Sequence, residues 1–178
     1  MSERPGPEIR PHYLNEASEL AEQRLRRLLE VAADLGVETT SLRTGEAQII
    51  EAVRQKFPER YELVVQKLRT EGLDLADLPK AALIDRMLGI DLVFAFKDKN
   101  YAVDVTSGKN TVLKNKEKKF REMESLYRQL GIDRALVIRL KEDVTEDTVL
   151  DLFGKLEGLE DRGEAFTAVM RYPETKRP

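Results

Sequence analysis

Cysteine is absent from the 178 residues, and His12 is the single histidine. The first absence excludes a disulfide framework and thiolate-held zinc, and the second excludes a histidine cluster, which leaves oxygen ligands for any metal. No window approaches 18 uncharged apolar residues, so a membrane span is not expected. Met1–Pro11 holds four prolines and glycines and no apolar stretch of the kind a signal peptide needs, so residues 1–13 read as a loose tail and the protein as cytoplasmic. Internal repeats, low-complexity tracts and long linkers are missing as well, and no separate domain boundary is evident.

What is present is the balance of a soluble globular chain, 35% charged and 41% apolar with a net charge of −3. This length suits one domain over 1–178 with a sizeable core. Between Leu14 and Leu35 the residues Leu20, Leu25, Leu28, Leu29, Ala32 and Leu35 recur at helical spacing, and Gly36 supplies a stop, giving an N-terminal helical extension over 14–43. Its Arg24, Arg26 and Arg27 read as part of a solvated face. A second helix is expected from Thr44, a good N-cap residue, to Phe57 ahead of Pro58. On a wheel of about 100° per residue its Ile49, Ile50, Val53 and Phe57 form one stripe, with Glu46 close to the centre. That glutamate either complements the helix dipole or points inward. Residues 58–88 read as a helical insertion carrying Tyr61, Leu63, Val64 and Leu68 on one segment and Ala81, Leu83, Ile84, Met87 and Leu88 on another, punctuated by Gly72 and Pro79.

The stretch Ile90–Lys109 organises the rest. Ile90–Phe96 and Tyr101–Thr106 are runs of β-branched and aromatic residues on either side of Lys97-Asp98-Lys99-Asn100, a hairpin signal. Each arm contains an aspartate, and a carboxylate inside a strand costs several kcal/mol unless a cation, a metal or hydrogen-bond donors meet it. A loop of even length pairs Phe96 with Tyr101, Val93 with Asp104 and Asp91 with Thr106. Asp91, Asp104 and Thr106 then share one face, while Ile90, Leu92, Phe94, Phe96, Tyr101, Val103 and Val105 fill the other. Two carboxylates about 5–8 Å apart on one face can jointly hold a divalent cation.

After the turn at Ser107–Asn110, Thr111–Leu130 reads as a helix closed by Gly131, with Val112, Phe120, Met123, Tyr127 and Leu130 in its apolar stripe and Lys116 among them. Arg134–Leu140 is an apolar run of the kind buried on both sheet faces, so strand, helix and strand suggest a βαβ unit. Thr145–Leu156, with Val149, Leu150, Phe153 and Leu156, and a strand at Ala165–Tyr172 complete the segment 141–178. The fold class expected is α/β, a central mixed sheet flanked by helices.

Charge is uneven along this layout. Lys97–Arg121 holds eight Lys/Arg and three Asp/Glu, against an overall excess of acid. A basic segment wrapped around a two-carboxylate site points to a phosphate-bearing polymer. The helix with Glu46, the strand with Gly89-Ile90-Asp91, the strand with Val103-Asp104-Val105-Thr106, the amphipathic helix and the apolar strand together resemble the core of the PD-(D/E)XK nuclease superfamily, over about 44–140 with the insertion at 58–88. The resemblance implies a restriction-endonuclease-like fold and a nuclease cleaving DNA with Mg²⁺ or Mn²⁺. In that reading Asp91 and Asp104 are metal ligands, and Glu46 is an accessory ligand or base. The motif's lysine position is Thr106 here, so the cation is expected from Lys109 or Lys116, with Lys109 preferred because it belongs to the same strand end. Lys114, Lys118, Lys119 and Arg121 would carry the nucleic acid, and a homodimer is left open. The rival is a catalytically inactive relative that binds nucleic acid or a protein partner; a third reading has the aspartates simply salt-bridged to neighbouring lysines.

Overall fold

The structure is a computed structural model that describes residues 12–40, 42–162 and 165–173. The expected tail lies outside these residues apart from its last two positions. Lys97 and Asp98 set the frame of the sheet. Both have positive φ, 48° and 64°, the conformation of a two-residue hairpin turn whose twist matches that of its strands. They join β2 (Leu92–Phe96) to β3 (Lys99–Thr106). The observed pairs are Phe96 with Lys99, Phe94 with Tyr101 and Leu92 with Val103, two residues away from the expected register. The slip is even, so it leaves the side chains within the two strands on their expected faces. It does change one neighbour: one residue beyond the last pair, the same register sets Asp91 against Asp104 rather than Thr106.

Among the described residues, five strands align in the order β1-β2-β3-β4-β5. β1 (Thr39–Thr40), a two-residue strand not expected from the sequence, pairs antiparallel with β2, and β2 with β3. β3, β4 (Arg134–Leu140) and β5 (Thr167–Tyr172) run parallel, the helices α5 (Asn110–Glu122), α6 (Glu124–Gln129) and α7 (Glu146–Arg162) filling the crossovers. The molecule is therefore α/β with a mixed sheet flanked by helices.

Alternation along the strands divides the core in two. One layer joins Phe94, Tyr101, Val103, Leu136 and Ile138 to Leu25 and Leu28 of α1 (His12–Asp34) and to Phe153 of α7. Here Phe94 and Tyr101, a cross-strand pair, stack with centroids 5.2 Å apart, and Phe153 meets Phe96 edge-on at 4.9 Å, contacts that each add about 0.5–1.5 kcal/mol beyond their buried area. The second layer joins Val93, Ala102, Ala135 and Val137 to Ile49 and Val53 of α2 (Leu42–Lys56), Leu68 of α3 (Pro58–Thr70), Ile84 and Met87 of α4 (Lys80–Leu88), Phe120 of α5 and Tyr127 of α6. β4 thus has helices over both faces, as its unbroken apolar run requires.

Several local expectations are corrected. Ile90 belongs to the second layer, because it precedes β2 instead of lying in it. Thr44 is not an N-cap, since α2 begins at Leu42. Leu20, Leu35, Leu63, Val112 and Leu150 are exposed, while Ala21, Val31, Leu113 and Leu152, not expected in the stripes, are buried. The helix expected over 111–130 is broken at Met123 into α5 and α6, and the second piece presents the Tyr127 hydroxyl, which donates to the Leu88 carbonyl at 2.8 Å.

Candidate functional site: a carboxylate pair with two lysines

The end of α4 delivers the first acid. Gly89 caps the helix with φ +68°, a conformation that strains any L side chain, and its N–H donates to the Asp85 carbonyl at 2.7 Å. A Cβ there would also sit 3.3 Å from Nζ of Lys119. Asp91 follows at the mouth of β2, its N–H donating to the Val103 carbonyl at 2.9 Å while its Oδ2 accepts from the Val105 N–H at 2.8 Å. These bonds fix the carboxyl against the edge of β3, where Asp104 lies 2% exposed.

Asp104 is met by two cations. Lys116 and Lys119 on α5 each donate to its Oδ2 at 2.9 Å, and Lys119 also donates to the Gly89 carbonyl at 2.5 Å. Residues three apart share a helix face, so α5, crossing over the site, presents both ammonium groups together. Burial works against the charge on Asp104, but its hydrogen bond with Asp91 and the two ammonium groups hold it below the usual carboxylate range. Asp91 takes the opposite course: burial, then the hydrogen bond to Asp104 and the charge on Asp104, push it up to about 8. Near neutral pH the pair therefore shares a single proton, held on Asp91.

A cavity of about 370 Å³ opens beside Asp91, with Glu46, Asp85 and Arg26 in its wall. Glu46 is 7% exposed, so it does point inward. Asp85 escaped the sequence reading; burial, followed by the charge on Asp104, raises its carboxyl. The signal was its place one turn before Gly89 on α4, which turns it toward the same edge as Asp91.

The other candidates fall elsewhere. Lys109 is the exposed N-cap residue of α5, and its side chain makes no hydrogen bond or ion pair among the described residues, so the cations at the acidic pair are Lys116 and Lys119 instead. Thr106 is buried and its Oγ1 accepts from the Gly108 N–H at 2.9 Å, closing the turn into α5. Lys114, Lys118 and Arg121 are exposed; Lys118 lies 3.8 Å from Glu122 and Arg121 2.5 Å from Glu117.

The donor set bears on a divalent cation in two ways. Two adjacent carboxyl groups are oxygen donors of the kind a divalent cation takes, and Asp91 would have to give up its proton to serve as one. Among the described residues, however, no three His, Cys, Asp or Glu side chains form a group that could hold a metal. The pair thus fits a site with two protein carboxylates, in the manner of Mg²⁺, which commonly keeps several waters and takes one or two carboxylates. No helix among the described residues is long and apolar enough to cross a membrane. The chain matches no protein-family model, no curated protein and no solved structure.

Proposed function

We propose that this protein is a metal-dependent nuclease that hydrolyses phosphodiester bonds in DNA, built on a restriction-endonuclease-like core of the PD-(D/E)XK type. The observation that carries the reading is the convergence of Asp91 and Asp104 with Lys116 and Lys119 beside an acid-lined cavity. Asp91 and Asp104 would hold Mg²⁺ or Mn²⁺, which when bound supplies a Lewis acid for the phosphate and acidifies water. Lys116 and Lys119 keep Asp104 ionised. They also place positive charge where negative charge builds on the phosphate, the role for which Thr106 has no charge. Glu46 and Asp85 stand on the cavity wall beside Asp91, where a proton from the attacking water can be taken up.

Metal-dependent cleavage of plasmid and branched or single-stranded DNA by the wild-type protein, lost in Asp104→Asn, tests the reading. Absence of cleavage with both Mg²⁺ and Mn²⁺ on every substrate would overturn it. A second reading rests on the same two lysines: because both already compensate Asp104, the site is also that of an inactive relative that binds nucleic acid without cutting it. Metal-independent binding with no cleavage would select it.

A further inference from the structure

A second cavity, of about 690 Å³, lies between the start of α3 and the end of α4. Its wall contains Lys56, Arg60, Lys67 and Arg86 against one acid, Glu59. Arg60 and Lys67 are two turns apart on α3, so they lie on one stripe, and Leu63 sits between them with 61% of its surface exposed. Phe57, half-buried at the junction of α2 and α3, lines the same cavity. Arg86 is paired with Glu71 at 3.0 Å and Lys56 donates to the Gln129 carbonyl at 2.6 Å, whereas the exposed Lys67 has no side-chain partner among the described residues.

This cleft and the carboxylate pair are two sides of one short segment. Arg60 donates to the Met87 carbonyl at 3.1 Å, Tyr127 to that of Leu88 at 2.8 Å and Lys119 to that of Gly89 at 2.5 Å. Three consecutive carbonyls at the negative end of α4 are thereby met, the first from the cleft and the last from the site. Tyr127, between them, feels the charges of both Asp104 and Arg60.

We infer that the cleft binds a single-stranded segment of nucleic acid, on the other side of the Met87–Gly89 segment from the carboxylate pair; that the bound strand is a substrate rests on the nuclease reading. Cations spaced around an aromatic and an exposed aliphatic side chain match the recognition of unpaired strands, where phosphates meet positive charge and bases meet apolar surface. At about 690 Å³ the cleft has room for a splayed nucleotide. An acidic peptide would satisfy the cations without using Phe57 and Leu63.

Fluorescence anisotropy of the full chain in chelator, with labelled dT and rU oligomers, a DNA duplex and a poly-Glu peptide as probes, tests this apart from cleavage. The expected result is tighter binding of a single strand than of duplex or peptide, the tighter of dT and rU assigning the sugar. Lys67→Glu should weaken single-strand binding about tenfold at low salt, and Lys67→Ala should reduce the salt slope by about 0.7. Leu63→Ala should weaken binding several-fold with the slope unchanged, and Lys155→Ala, on α7 across the sheet, should change nothing. Equal binding by Lys67→Glu and wild type, or preference for duplex or poly-Glu, would overturn the inference even if the protein cleaves DNA. Cleft-dependent binding without cleavage would uphold the cleft and sink the nuclease reading alone.

Discussion

Replacing each aspartate of the pair by asparagine should have unequal consequences. Asp104→Asn removes the charge that Lys116 and Lys119 share, each through a 2.9 Å bond to Oδ2. Hydrogen bonds to charged groups contribute about 1.5–3 kcal/mol each, and stripping one partner from a fully buried pair costs about 3–5 kcal/mol. The lysine side chains are 27% and 32% exposed, so they recover part of their hydration, and the asparagine oxygen still accepts one bond. The expected loss is about 2–4 kcal/mol. Asp91→Asn leaves the local bonding intact, because the amide oxygen can accept from the Val105 N–H while the amide nitrogen donates to Asp104 as the protonated acid does. Its effect at pH 7 should fall within about 1 kcal/mol of zero.

The pH dependence sharpens the contrast. Asp91 has a folded-state pKa raised to about 8, far above an unfolded aspartate, so between these values the native chain holds a proton that the unfolded chain has lost. Wild-type stability from this group is greatest at acid pH and drains away as pH rises toward 8. Asp91→Asn cannot ionise, so it should overtake the wild type between pH 7 and pH 9. Urea unfolding in chelator at pH 6, 7 and 9 measures both effects. An Asp104→Asn protein as stable as wild type, or an Asp91→Asn protein whose difference from wild type does not change with pH, would refute the reasoning.

Mn²⁺ at a hundred times its dissociation constant should stabilise the wild type by about 2.7 kcal/mol, read as a rise in melting temperature, and leave Asp91→Asn and Asp104→Asn unmoved. Lys116→Ala and Lys119→Ala should each lower kcat for cleavage about 10²–10³-fold, while Lys109→Ala stays within a few-fold; loss of activity in the Lys109 variant alone would return the cation to the turn. Gly89→Ala should cost about 1–2 kcal/mol in thermal or urea unfolding, since the left-handed φ is strained and the added methyl crowds Lys119, and a neutral result would remove the case for that cap.

The sheet was readable because strand chemistry repeats at short range. Val137 and its neighbours form an apolar run that can be buried on both sides, and β4 occupies the expected span Arg134–Leu140. The hairpin was recognisable from its polar turn, but its loop length was not: Lys99 and Asn100 could join either the turn or the strand, and the selected turn confines positive φ to Lys97 and Asp98. β1 escaped because two residues give no alternation to detect. The helical stripes were nearly right and failed at Leu20, Leu63 and Leu150, where a neighbouring residue turns inward in place of the more obvious leucine.

The carboxylate pair survived the register error because side-chain direction repeats every two residues, so an even slip returns Asp91 and Asp104 to the same face. The identity of the cation had no such protection. Chain proximity favoured Lys109, only five residues from Asp104, yet Lys109 is exposed at the N-cap of α5. What brings positive charge to Asp104 is the return of α5 across β3, which places Lys116 and Lys119 over the acid from twelve and fifteen residues away. An acid in a strand interior needs a counter-charge from outside its own strand, and the nearest helix face with lysines three apart is the place to look. The same arrangement explains how the fold tolerates two adjacent carboxyl groups: one is held ionised by two ammonium groups, and the other keeps its proton. A cation held by both carboxylates would therefore have to displace that proton, which would couple its binding to the ionisation of Asp91.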